Sequence, residues 1–332
     1  MKAKILITGA SGFIGSFIVE EALRRGFDTW AAVRKSSSKA FLQDERINFI
    51  ELNLSSEQQL KEQLKDMQFD YVVHAAGVTK CLHQEDFRRI NTEGTKNLVR
   101  AILALQMPIK RFVYISSLSI MGAIREEQPY TEILESDTPQ PNTAYGRSKL
   151  EAEQWLDTNS QFPYVILRPT GVYGPRERDY FMMFKSIKQH VDFAVGYQQQ
   201  DITFVYVADV VQAVFLAMEK GRTGRRYFLS DGEVYQSSTF SDLIHKELGN
   251  PWWIRITAPL WVLRLVSWCG EYVGRLTGKV TALNKDKYNI MRQRNWRCDI
   301  TPAREELGYA PQVKLPEGVK RSAAWYQENG WL

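Results

Sequence analysis

Residues 4–26 read KILITGASGFIGSFIVEEALRRG, and the fold is decided there. Lys4 to Thr8 is a short apolar, β-branched run, which reads as a buried strand. Gly9-Ala10-Ser11-Gly12-Phe13-Ile14-Gly15 follows at GxxGxxG spacing. From Ser16 onward apolar residues recur at helical spacing until Gly26 stops the helix. The glycines permit a tight turn and the close approach of a pyrophosphate. The helix N-terminus offers unpaired N–H groups and a favourable dipole to an anion. A glycine pattern is weak alone, but here it stands directly between a strand and an amphipathic helix.

The pattern repeats outward from that stretch. DTWAAV (28–33), INFIEL (47–52), DYVVHA (70–75), KRFVYISS (110–117) and YVILRP (164–169) read as further strands. Helical stretches are predicted over 55–66, over 85–106 and from the Tyr145 segment onward. Strand and helix alternate at the spacing of βαβ units. The predicted fold is therefore α/β, a Rossmann-type doubly wound parallel sheet with helices on both faces. The second half is less regular. A strand at 202–207, a helix from Asp209 to Lys220, a strand at 227–232 and a mainly helical region from Thr239 are expected. The predicted division is a dinucleotide-binding domain at 1–170 and a smaller, mainly helical substrate domain at 171–332. Segments from about 202–232 are expected to return to the first domain.

Composition narrows the function classes. The 332 residues are 44% apolar and 24% charged, with net charge +5, as in an ordinary globular chain. The charges are mixed rather than clustered, which suits an enzyme with anionic cofactors and not a nucleic-acid binder. Cys81, Cys269 and Cys298 are far apart, with no CxxC or Cys/His ligand spacing. Neither a disulfide framework nor a metal site is indicated, and a reducing, cytoplasmic compartment is expected. Cys81 lies near His83, but a nucleophile would also need a base and an orienting group. No run of about 18 apolar residues predicts a spanning helix.

Two further features bear on chemistry. An acidic residue at the end of the second strand would bind a ribose 2′-hydroxyl. This chain has Arg34 and Lys35 there, followed by three serines. Cations and hydroxyls suit a 2′-phosphate, so NADP(H) is favoured, with NAD(H) as the alternative. Tyr145 and Lys149, in TAYGRSK, stand four apart and share a helix face. A free tyrosine titrates near 10, so a neutral-pH base needs an adjacent cation.

Taken together, GASGFIG, HAAG (74–77), NTEGTKNL (91–98), YISSLSIMG (114–122), YGRSK (145–149) and LRPTGVYGP (167–175) carry a family likeness. The chain resembles the extended short-chain dehydrogenase/reductase superfamily, also called the NAD-dependent epimerase/dehydratase family. Within it the 3β-hydroxysteroid dehydrogenase and dihydroflavonol reductase branch is nearest. The resemblance implies that Tyr145 moves the proton and that Lys149 lowers its pKa and bonds the nicotinamide ribose. Ser117 would bind the reacting oxygen, and Asn91 would hold a water linking Lys149 to solvent. Ser116 and Ser119 are rivals for the serine role. Cofactor contacts are implied at Gly9, Ser11, Gly12, Phe13, Ile14 and Gly15 of the turn. Others follow at Arg34 and Lys35, at Asn53 and Leu54 beside the adenine, at Ala75, Ala76 and Gly77, and at Pro169, Thr170 and Val172. Thr79, Met121 and Tyr173 join Ser117 as implied substrate contacts. His74 is expected to be a packed or capping residue. Paired helices imply a homodimer.

The substrate is read only in part. Sugar-nucleotide members of the superfamily usually carry an arginine seven residues before the aspartate of the VxD motif. Here that aspartate is Asp209 and the position is Ile202, which cannot pair with a diphosphate. Arg176 and Arg178 are read as loop surface charges. Residues 251–276, PWWIRITAPLWVLRLVSWCGEYVGRL, crowd Trp252, Trp253, Trp261 and Trp268 among aliphatic residues and arginines. They suit an apolar substrate pocket, a peripheral membrane contact, or core and dimer surface. The expected activity is alcohol–ketone interconversion by hydride transfer on an apolar, ring-containing substrate, steroid-like or flavanonol-like. The alternatives are a sugar-nucleotide epimerase or dehydratase, and a non-enzymatic cofactor-binding sensor or structural subunit.

Overall fold

The computed structural model describes residues 2–249, 252–278 and 284–332, without the side chains of Arg275 and Leu276. The first half alternates strand and helix. It holds β1 (Lys4–Thr8), β2 (Asp28–Val33), β3 (Asn48–Glu51), β4 (Tyr71–His74), β5 (Arg111–Ile115) and β6 (Tyr164–Pro169). Between them run α1 (Phe13–Arg24), α2 (Glu57–Leu64), α3 (Gln84–Phe87), α4 (Gly94–Ala104) and α5 (Ala144–Asp157). The second half supplies β7 (Gly171–Tyr173), α6 (Asp179–Lys188), β8 (Val191–Val195), β9 (Asp201–Ile202), β10 (Phe204–Tyr206), α7 (Val207–Lys220) and β11 (Arg226–Leu229). It ends with β12 (Tyr235–Gln236), α8 (Thr239–Leu248), β13 (Ile254–Ala258), α9 (Leu260–Thr277), α10 (Lys285–Arg292) and α11 (Leu315–Glu328).

Ile5, Leu6 and Ile7 are fully buried, because β1 lies mid-sheet with helices over both faces. The sheet is parallel, in the order β11-β6-β5-β4-β1-β2-β3. The chain winds outward from β1 through β2 to β3, then crosses to β4 on the other side. The switch point therefore falls between β1 and β4, and the glycine turn sits at its C-terminal edge, where open α/β sheets bind ligands. One apolar core lies on each side of the sheet, and a third joins Tyr173, Phe184, Phe204, Phe240 and Tyr326 in the second half. Phe13, Ile14 and Phe17 of α1 pack against that third core, so the helix behind the glycine turn ties the two halves together.

The departures from expectation have local causes. The predicted helix over 85–106 is three pieces: α3, a π-helical turn at Arg88–Glu93, and α4. The widened turn reorients Asn91, a change apolar period cannot register. The region after Thr239 is not all helical, since β13 pairs with β8 in parallel. Residues 226–229 do join the main sheet, beside β6.

Within 251–276, Pro251 and the side chains of Arg275 and Leu276 lie outside the described residues. The core reading fails for the tryptophans: Trp261 is 70% exposed and Trp268 68%. With Leu265 and Tyr272 they form an exposed stripe on α9, while Leu263 and Ser267 face inward. Among the described residues, no helix is long and apolar enough to cross a membrane.

Candidate active site

The glycine turn is shaped by what it cannot accommodate. Gly9 adopts φ +69°, and a Cβ there would lie 2.6 Å from the Ala76 nitrogen. A Cβ on Gly15 would lie 2.0 Å from the Gly9 carbonyl oxygen. Gly12 N–H donates to that same oxygen at 2.9 Å. Gly12 caps α1 without a side chain, and no acidic residue stands in the first turn. The helix end is therefore bare and positive toward the switch point, with Ser11, Gly12, Phe13 and Ile14 on its partly exposed rim. Ala75 N–H bonds the Thr8 carbonyl at 3.2 Å, which holds Ala75 and Ala76 against the turn. A dinucleotide's diphosphate fits this cradle by charge and by the space the missing side chains leave.

Arg34 and Lys35 project, exposed, from the end of β2. Ser37 folds back to accept the Arg34 N–H at 3.0 Å. Asn53 has a different task from the adenine contact implied for it. Its Oδ1 already accepts from Ser55 N–H at 3.1 Å and from Ser55 Oγ at 2.7 Å, and its amide donates to Gln59. The neighbouring Leu54 is partly exposed beside Gly94. Arg176 is not a surface charge. Its guanidinium lies between the rings of Phe17 and Phe41, 4.2 and 4.6 Å from their centroids. It also donates to Ser16 Oγ at 3.0 Å and pairs with Glu20 at 2.6 Å.

The catalytic candidates meet at the C-terminal ends of β4 and β5. Thr143 caps α5 by accepting the Gly146 N–H at 2.9 Å. Tyr145 and Lys149 stand one turn apart on that helix. Burial pushes the Tyr145 phenol up to about 12, against the hydrogen bond from Ser117. The phenol is therefore protonated at neutral pH. Lys149 is buried, and burial pushes its ammonium down to about 8, with Glu153 opposing. Its Nζ donates to the Ile115 carbonyl at 2.7 Å and lies 4.6 Å from the Tyr114 ring centroid. Among the three serines, only Ser117 is partly exposed. Ser116 donates to the buried Glu153 carboxylate. Ser119 lies behind Ser117, its Oγ at 2.8 Å.

Asn91 has its side chain committed. Its Oδ1 accepts the Val78 N–H at 2.8 Å, and its Nδ2 donates to the Val78 carbonyl and to Ser148 Oγ. It pins the segment after β4 to α5. A Cβ on Gly77 would lie 3.1 Å from Asn91 Oδ1 and 3.4 Å from Lys149 Nζ, so glycine there leaves both groups their place. Thr79 is exposed nearby. Two implied substrate contacts are corrected. Met121 is fully buried in the sheet core, and Tyr173 is buried among the rings of Tyr206, Phe204 and Phe240. Pro169 ends β6, Thr170 Oγ1 donates to the Thr203 carbonyl at 2.8 Å, and Val172 is partly buried between two cores.

His74 is a packed residue, as its sequence context suggests. Its ring nitrogens reach Thr8 and Thr95 hydroxyls at 2.6 and 2.9 Å, and burial pushes its pKa down to about 3. Burial pushes the Cys81 thiol up to about 11, so it is no thiolate nucleophile at neutral pH.

Three residues that serve this cluster escaped the sequence. Glu153 and Arg168 form a buried ion pair, Arg168 Nη2 lying 2.5 Å from Glu153 Oε2 and Nε 3.2 Å from each carboxylate oxygen. The signal was available: Glu153 repeats the four-residue step beyond Lys149, and Arg168 is a lone charge in an otherwise apolar strand. Asp286 carries no such signal. It reaches the first turn of α5 from 141 residues away.

A model of the NAD dependent epimerase/dehydratase family matches residues 5–230. UDP-glucose 4-epimerase of Vibrio cholerae is 27% identical, over 99% of this chain and 97% of that protein. The decarboxylating sterol-4-alpha-carboxylate 3-dehydrogenase of Candida albicans is 24% identical, over 98% of each. The solved UDP-glucose 4-epimerase of Thermotoga maritima, with UDP-glucose, superposes with a TM-score of 0.80 at 23% identity, over 98% of this chain and 99% of that one.

Proposed function

Because this chain belongs to the NAD dependent epimerase/dehydratase family, and so is an enzyme of the extended short-chain dehydrogenase/reductase type, we propose that it interconverts an alcohol and a ketone. We assign it NADP(H) as the preferred cofactor and an apolar, ring-containing substrate of the steroid or flavanonol kind. Ile202 carries the substrate class. It sits in β9, paired with Tyr235 of β12, where a diphosphate clamp would need a cation. The nearby Arg297 donates to the Tyr130 carbonyl at 3.0 Å and lies 3.6 Å from Asp201. Its charge is already directed at the chain's own acceptors.

The bound nicotinamide supplies or takes up a hydride. The protein's part is the proton and the oxygen. Ser117 Oγ positions the reacting oxygen, with Ser119 behind it. Tyr145, protonated at neutral pH, donates the proton as a carbonyl becomes an alcohol. Lys149, still largely charged at pH 7 with a pKa near 8, stabilises the phenolate that remains. Arg34 and Lys35 provide the charge for a 2′-phosphate.

A second reading, nucleotide-sugar epimerisation, is supported by the full-length likeness to UDP-glucose 4-epimerase. One experiment separates the two. Purified protein is given NADPH or NADH with a 3-ketosteroid, and separately NAD with UDP-glucose. The expected result is consumption of NADPH with the ketosteroid, and loss of the NADP(H) preference by about ten-fold or more in Arg34→Ala. Conversion of UDP-glucose to UDP-galactose, with no net change in the nicotinamide, would replace the first reading with the second.

A further inference from the structure

The first turn of α5 has more backbone donors than its own cap can serve. Thr143 takes only the Gly146 N–H. The Ala144 and Tyr145 N–H groups both donate to Asp286 Oδ2 of α10, at 2.8 and 3.3 Å. Asn289 of α10 adds a bond from its Nδ2 to the Asn142 carbonyl at 2.8 Å. On its other side α10 reaches Asp179, which lies 3.5 Å from Lys287 and also pairs with Lys80, beyond Gly77. One helix of the second half thus bonds to both flanks of the catalytic cluster.

A carboxylate accepting two amides at a helix N-terminus is a charge-assisted contact, favoured also by the helix dipole. It acts on the residue that carries the phenol. A side chain's direction follows from the backbone of its own turn, and a misplacement of about 1 Å at a reacting atom costs on the order of a hundred-fold in rate.

We propose that Asp286 is a positioning residue: by holding the Ala144 and Tyr145 amides it fixes the first turn of α5 against α10, so that docking of α10 aims the phenol at Ser117. The role rests on the catalytic reading of Tyr145, but its test needs no substrate. Full-length wild type, Asp286→Ala and Asp286→Asn are compared by amide hydrogen exchange and by the ring signal of carbon-labelled Tyr145. Nucleotide affinity is measured alongside.

In Asp286→Ala the Ala144 and Tyr145 amides should exchange at least about ten-fold faster, as expected for loss of a bond to a charged acceptor. Gly146, held by Thr143, should change less than about two-fold. The Tyr145 signal should move toward that of Ser117→Ala, while NADP(H) affinity stays within about two-fold, since the glycine cradle is untouched. Asparagine keeps the acceptor oxygen and should return the Tyr145 signal most of the way to wild type. If the signal in Asp286→Ala stays at its wild-type position, the proposal is overturned. It is overturned equally if Gly146 exchange rises with the other two, because the helix end is then merely fraying. Should Asp286→Ala not fold, the asparagine variant decides: a Tyr145 signal matching Ser117→Ala refutes the role.

Discussion

Replacing Lys149 by methionine should make the nucleotide-free protein more stable at neutral pH while removing its turnover. Lys149 is only 4% exposed, and burial brings its pKa from 10.5 down to about 8. That fall corresponds to roughly 3 kcal/mol of penalty on the charged form. At pH 7 the folded and unfolded chains both carry the proton, so the whole penalty is present. Between about pH 8 and 10.5 the folded lysine is neutral and the unfolded one is still charged. The unfolded state then binds more protons, and this group's contribution to stability rises with pH across that window. Methionine removes the penalty but leaves the Ile115 carbonyl without its donor at 2.7 Å, a loss of about 1–2 kcal/mol. The variant should therefore be about 1–2 kcal/mol more stable than wild type near pH 7. Near pH 10.5 it should be less stable by a similar amount, when only the lost bond remains. Urea unfolding of both proteins at several pH values reads the difference, in which titrating groups not coupled to Lys149 cancel. A difference that does not vary with pH would refute the buried-charge account. So would a methionine variant clearly less stable at neutral pH. Turnover should fall by about 10²–10⁴-fold.

Tyr145→Phe should lose about 10²–10⁴-fold in turnover with cofactor affinity nearly unchanged, as read by nucleotide fluorescence; a variant that keeps turning over removes the proton-donor role. Gly15→Ala places a Cβ 2.0 Å from the Gly9 oxygen, a clash against backbone that no side-chain movement relieves. It should cost about 1–3 kcal/mol in stability and weaken nucleotide binding by about ten-fold or more, measured by thermal melting with and without cofactor. Arg168→Met leaves the buried Glu153 carboxylate with the Ser116 hydroxyl and, 3.9 Å away, Arg226 Nε, and should cost about 3–5 kcal/mol in urea unfolding. Adding Glu153→Leu should recover most of that loss; no recovery would mean that the pair is not isolated in the way its burial implies.

What the sequence determined by itself was local. The strand–glycine turn–helix at 4–26 was legible because apolar period and missing Cβ atoms act over a few residues. So was the α5 face on which Tyr145 and Lys149 stand, since residues four apart always share a face. The packed role of His74 followed from its place among small residues at a strand end. Tertiary structure decided what lies opposite each of these groups. It put Arg176 between two aromatic rings instead of in solvent, and gave the Asn53 oxygen to Ser55. It used the Asn91 side chain on Val78 and Ser148, and closed cores over Met121 and Tyr173. It also split the 251–276 segment into a strand and a helix with exposed tryptophans, where composition alone left three readings open. Asp286 shows the reason most plainly. Its partners, the Ala144 and Tyr145 amides, are backbone groups with no identity of their own, brought to it only when distant elements dock. Periodicity reports which way a side chain faces; it holds no record of what the fold will place there.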